Sequence, residues 1–84
     1  DLANQAIEKY RSYFNAGNYG YLVSRSIAEE EAELTTLGKS QFRRAIVVTP
    51  SGTAPNRTWA IAAGVTYDLK GKSRNVTCRT LFAE

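Results

Sequence analysis

The chain contains no histidine, no methionine, a single cysteine and two prolines. Each scarcity excludes something. Without histidine the commonest general base and the commonest metal ligand are missing together, so a serine hydrolase of the usual triad type and a His-based metal site drop out. A lone Cys78 excludes an internal disulfide framework and a Cys-rich zinc site. No run approaches the roughly 18 apolar residues that a membrane-spanning helix needs. Because position 1 is Asp and no methionine occurs, the chain reads as a processed or excised piece of something longer.

What is present suits a small ordered domain. At 43% hydrophobic and 23% charged, the composition is too apolar for a disordered tail. Its 84 residues form one domain, 1–84, near the lower size limit for a self-sufficient core.

Leu2, Ala3, Ala6, Ile7, Tyr10, Tyr13 and Phe14 recur at three- and four-residue steps, which predicts an amphipathic helix over 2–16. Asp1 is placed to cap it and Gly17 to stop it. Residues 18–25 suit either a short strand or a helical turn. Ser26-Ile27-Ala28-Glu29 fits a capping box and opens a second helix over 27–36, with Ile27, Ala28, Ala32 and Leu34 as its apolar residues and Gly38 as its stop. The acidic run Glu29, Glu30, Glu31 and Glu33 reads as a solvated face.

From Gln41 onward the periodicity becomes that of strands. Segments 42–49, 58–69 and 75–82 are predicted strands, the first ended by Pro50-Ser51-Gly52 and the last two joined as an antiparallel hairpin across Lys70–Ser73. Trp59, Ile61, Ala63, Val65 and Tyr67 share one face of the middle strand, which is the expected core side. The fold class expected is α+β, with two N-terminal helices packed on a three-stranded antiparallel meander. That element order is similar to NTF2-like, cystatin-like and pilin-type folds; no residue motif selects among them, and so no family or function follows.

Charge is divided between the halves. Residues 1–38 hold three basic and six acidic side chains, a net of −3, whereas residues 39–84 hold eight basic and two acidic, a net of +6. A basic half can face an anionic partner, or it can compensate the acidic half and guard strand edges.

Motifs with chemistry are few. Gly38-Lys39-Ser40 and Gly71-Lys72-Ser73 echo the end of a phosphate loop, but Glu33 and Thr66 stand where its first glycine is required. Cys78 has no base to activate it and reads as a small buried apolar group. Asn56-Arg57-Thr58 and Asn75-Val76-Thr77 are sequons that matter only in a eukaryotic secretory setting. No catalytic residue, cofactor or metal is expected.

The function expected is therefore a non-catalytic protein-interaction or assembly domain. The wealth of Thr, Asn and Tyr suits a secreted or periplasmic setting. Its partner would be another protein or a second copy, met through the strand edge at 41–49 or through Tyr19 and Tyr21. The alternative is a nucleic-acid or polyanion binder working through Arg43, Arg44, Arg57, Lys70, Lys72 and Arg74.

Overall fold

Helix α1 spans Leu2–Asn15 in the computed structural model, which describes all 84 residues. The Asp1 carboxylate accepts a hydrogen bond from the Asn4 backbone N–H at 2.7 Å, which satisfies one of the free donors of the first turn. Its predicted stripe is the buried one: Leu2, Ala3, Ala6, Ile7 and Tyr10 enter the core. A short 3-10 turn at Tyr19–Tyr21 follows, and this settles the strand-or-turn ambiguity of residues 18–25 in favour of a turn.

Helix α2 spans Ile27–Thr36, with the Ser26 and Glu29 side chains satisfying each other's backbone donors as the capping box requires. Of its four apolar residues only Leu34 faces inward. Ile27, Ala28 and Ala32 are exposed, and the buried residues are Glu30 and Leu34. The acidic run is thus not wholly solvated, for a reason that lies on the sheet.

The sheet contains β1 (Arg43–Ser51), β2 (Thr58–Leu69) and β3 (Lys72–Ala83) in the order β1-β2-β3, antiparallel throughout. This is the α+β architecture expected. Each outer strand is longer than its sequence pattern suggested. β1 continues through Pro50, which pairs with Trp59, and β3 begins at Lys72 because the hairpin closes over two residues only. Those two, Lys70 and Gly71, both have positive φ (52° and 78°), the backbone that matches the right-handed twist of the strands they join. At the other end Gly52, with φ +81°, brings its Cα so close to the Asn56 carbonyl that a Cβ would lie 2.6 Å from that oxygen. Only glycine fits there.

Both helices cover one face of the sheet. α1 lies over β2 and β3, and α2 lies against β1. Beneath them Ile46, Trp59, Ile61, Ala63, Val65 and Phe82 meet the α1 stripe, together with Leu22 and Leu34. Phe14 stacks on Phe82 at 5.1 Å and meets Trp59 edge-on at 5.8 Å, so the aromatic residues close one end of the core. The opposite sheet face has no covering element; Val47 and Leu81 stand on it 57% and 62% exposed.

Inward alternation on β1 carries Arg44 into the core beside Ile46, where it is 2% exposed. Its guanidinium donates to Glu30 Oε1 at 2.9 Å, to Glu33 Oε2 at 2.6 Å and to the Leu2 carbonyl at 3.0 Å. Arg25 donates to the second oxygen of Glu30 at 3.2 Å, and Lys9 to Glu33 at 3.1 Å. No buried side-chain polar atom lacks a partner. An acidic helix and a basic strand are thus joined through buried, fully paired charge, which is the compensation that the divided sequence charge allowed.

Candidate functional site

A sheet of three strands has two edges, and the fate of each follows from which backbone groups point outward. On β1, Arg25 N–H donates to the Ile46 carbonyl at 2.8 Å and Ile46 N–H donates back to Arg25 at 2.9 Å. The outward groups of β1 therefore belong to the even-numbered residues. Val48 N–H donates to Ser24 Oγ at 2.9 Å, and Pro50 has no N–H to offer. The strand edge at 41–49, an expected contact surface, is largely closed by the chain's own residues Ser24 and Arg25.

β3 differs. Glu84 N–H donates to the Arg57 carbonyl at 2.9 Å, which sets the even-numbered residues of this strand toward β2. The two-residue turn at Lys70-Gly71 requires the same parity, since Leu69 and Lys72 must be the bonded pair that closes it. The N–H and C=O groups of Ser73, Asn75, Thr77, Arg79, Leu81 and Ala83 therefore point away from the sheet. No element lies beside them: β3 packs only on β2 and on α1. The strand has 12 residues, contains no proline and keeps unbroken register along its whole length, so the open edge runs for about 40 Å.

No family model, curated protein or solved structure matches this chain. The reading of the site rests on its geometry.

Five of the eleven basic side chains stand in ion pairs: Lys9, Arg11, Arg25, Arg44 and Arg57. The other six, Lys39, Arg43, Lys70, Lys72, Arg74 and Arg79, have no acidic partner and all belong to the sheet half. Of the residues expected to form an anion-binding or partner-binding set, Arg44 is buried and consumed by Glu30 and Glu33. Arg57 is held by Glu84 at 2.6 Å and lies over the rings of Tyr19 and Trp59 at 5.0 and 5.3 Å. The Glu84 side-chain contact keeps the Arg57 guanidinium charged beyond its usual range, and Arg57 in turn pulls the Glu84 carboxyl below the usual carboxylate range. Lys70, Lys72 and Arg74 are exposed around the hairpin turn, and Arg43 shares the uncovered sheet face with Asn75 and Arg79. Of the six unpaired cations, Lys72, Arg74 and Arg79 lie on β3 and Lys70 in its turn, whereas Arg43 lies on β1 and Lys39 precedes it, so they do not form one basic plate.

Tyr19 is a correction of a different kind. It is half-buried, stacked on Trp59 at 4.9 Å, and seals the aromatic end of the core instead of awaiting a partner. Tyr21 is 61% exposed and rests edge-on against Tyr13 at 5.2 Å.

One concave site adjoins the open edge. Where α1 begins, the covered sheet face continues past the helix and leaves a cleft of about 470 Å³. Leu2, Phe42, Val65, Tyr67 and Val76 supply its apolar lining, and its polar residues are Gln5, Lys39 and Asp1, whose carboxylate is held by the Asn4 N–H. Phe42 and Tyr67 pair at 5.3 Å on its floor. Val76 belongs to both features, since it lies on β3 and lines the cleft. Tyr67, expected in the dry core, is half-buried here.

No three His, Cys, Asp or Glu side chains converge as metal ligands. Cys78 is half-buried against the core and opposite Ala63. No helix is long and apolar enough to cross a membrane. The parity of β3 was readable in the sequence only as an alternation of side chains; that its far edge is open depends on α1 and on residues 24–25 packing elsewhere.

Proposed function

We propose that this chain is a non-catalytic protein-interaction domain that receives an extended segment of a partner on the free edge of β3. The observation that carries this reading is the contrast between the two edges: one is closed by Ser24, Arg25 and Pro50, and the other presents an unbroken row of outward N–H and C=O groups. Such a row supplies main-chain affinity for an added strand. The cations along it also speak against self-pairing, because every charged side chain that a second copy of β3 would bring to the seam is positive.

The decisive variant is Thr77→Pro. It deletes an outward donor and fills the edge with a ring, yet removes no bond to β2. Wild type and Thr77→Pro would be compared by sedimentation and by capture from the native source. A partner retained by the wild type and lost with Thr77→Pro supports the reading. A strict monomer that retains nothing, or a partner held equally by both, overturns it.

Lys70, Lys72 and Arg74 around the hairpin turn support the second reading, polyanion binding. It predicts binding of a single-stranded oligonucleotide at low salt, steeply weakened as salt is added and indifferent to proline at position 77.

A further inference from the structure

We propose that the cleft lined by Leu2, Phe42, Val65, Tyr67 and Val76 is the anchor pocket of the β3 edge, and that the partner segment is an acidic extended peptide carrying one bulky apolar side chain. This rests on the edge reading above and specifies what the edge selects.

The register sets the geometry. Val76 pairs with Val65, and both side chains point to the covered face. A strand added outside β3 continues this row, because residues directly opposite across a ladder project to the same face. Its residue beside Val76 therefore projects toward the cleft mouth, whereas its neighbours project to the uncovered face. A cleft of about 470 Å³ lies in the range that takes a large apolar group, and its aromatic floor suits a ring.

Charge complementarity supplies the partner's polarity. β3 carries Lys72, Arg74 and Arg79 and no acidic residue, and none of the three is ion-paired. Arg74 stands on the cleft side of the strand two residues from Val76, opposite Tyr67, and Lys39 stands at the cleft itself. Acidic residues flanking the anchor would meet Arg74 and Lys39 on this face, and one on the other face would meet Arg79. The same cations repel a second copy of β3, so the edge discriminates between partners instead of accepting any strand.

The probe is a fluorescein-labelled peptide matched to β3 in length, alternating Glu with Thr and Val and carrying one central Phe. Controls replace the Phe with Ala, or every Glu with Lys. Anisotropy should show the Phe peptide binding at least about tenfold tighter than its Ala version. The Lys version should not bind, and added salt should weaken the acidic one. Val76→Glu should reduce the preference for Phe, Lys39→Glu should weaken the Phe and Ala peptides alike, each variant verified as folded by its melting curve, while Thr77→Pro should abolish binding of every peptide. If Phe and Ala peptides bind alike but remain sensitive to Thr77→Pro, the pocket proposal falls and the edge reading stands. If none binds, or if Thr77→Pro binds as well as wild type, both fall. A single-stranded oligonucleotide that displaces the peptide and binds Thr77→Pro undiminished assigns the cations to polyanion binding and also overturns the proposal.

Discussion

A proline moved by one residue along β3 should change its cost severalfold. At Val76 the N–H points to β2, where the bonded partner is the carbonyl of buried Val65. Val76→Pro deletes that bond, worth about 1 kcal/mol net, and leaves a buried carbonyl unsatisfied at a further cost of about 1–3 kcal/mol. The total is about 2–4 kcal/mol. At Thr77 the N–H points to solvent, so proline removes no ladder bond; it imposes only a φ less extended than a strand prefers, a cost within about 1 kcal/mol. Domains of this size are stabilised by about 0.05–0.15 kcal/mol per residue, so the first substitution consumes a large share of the total and the second does not. With about 4–8 °C of melting temperature per kcal/mol, Val76→Pro should lower Tm by about 10–30 °C and Thr77→Pro by less than about 8 °C.

Circular dichroism melts of the two variants measure this directly. Amide hydrogen exchange of the wild type gives the same parity residue by residue: the N–H groups of Val76, Cys78 and Thr80 should exchange slowly, and those of Asn75, Thr77 and Arg79 rapidly. Equal melting of both variants, or equal protection of odd and even amides in dilute protein, would refute the assignment of the open edge. Protection of the odd amides that grows with protein concentration would point to a second copy on that edge, against the charge argument.

Arg44→Met removes the cation shared by Glu30 and Glu33 and should cost about 3 kcal/mol in denaturant unfolding, with Arg25 and Lys9 limiting the loss; adding Glu30→Leu should recover most of it. Tyr10 donates its hydroxyl to the Val23 carbonyl at 2.6 Å, and burial first, then the Glu30 carboxylate, pushes its pKa up to about 12. Because the folded value is raised, this stabilisation is complete below the unfolded value near 10 and is lost as pH rises through about 12; an ultraviolet phenolate titration should show that late step, and Tyr10→Phe should remove it. Glu84 is lowered by Arg57, so its contribution is present above the ordinary carboxylate range and disappears as pH falls through the lowered value. Trp59 fluorescence, with Arg57 over the ring, should report that acid transition in the wild type and not in Glu84→Gln.

Local signals were legible where one residue type has one physical use. The Ser26–Glu29 box, the α1 stripe and the hairpin are of this kind, and each rests on interactions between residues near in sequence. Misreadings arose where tertiary contacts outweigh local pattern. In α2 the apolar residues were Ile27, Ala28, Ala32 and Leu34, but only Leu34 of them is buried, and Glu30 joins it because Arg44 arrives from β1 and must be neutralised. A signal did exist: Arg44 sits in phase with Ile46 and Val48 on the inward side of β1, and Glu30 and Glu33 are spaced as one helical face. Pro50 suggested a strand end, yet it is accommodated because its missing donor faces outward, where no ladder bond is needed.

The two charge populations have separate uses. Buried charge joins the helical half to the sheet, since Arg44 loses its hydration on entering the core and is compensated there by Glu30 and Glu33 of α2 and by the Leu2 carbonyl of α1. Once Arg44 and Arg57 are so engaged, four of the six cations left over, Lys70, Lys72, Arg74 and Arg79, lie on β3 or its turn, the strand whose outer backbone is also unpaired. Edge lysines and arginines ordinarily discourage a sheet from pairing with its own copies. They impose no such penalty on an acidic strand, for which the same side chains attract and the same backbone groups bond. A row of neutral residues in their place would leave the edge open to every extended chain, the domain's own included; the cations make the edge selective by sign, and the cleft beside Val76 makes it selective by size.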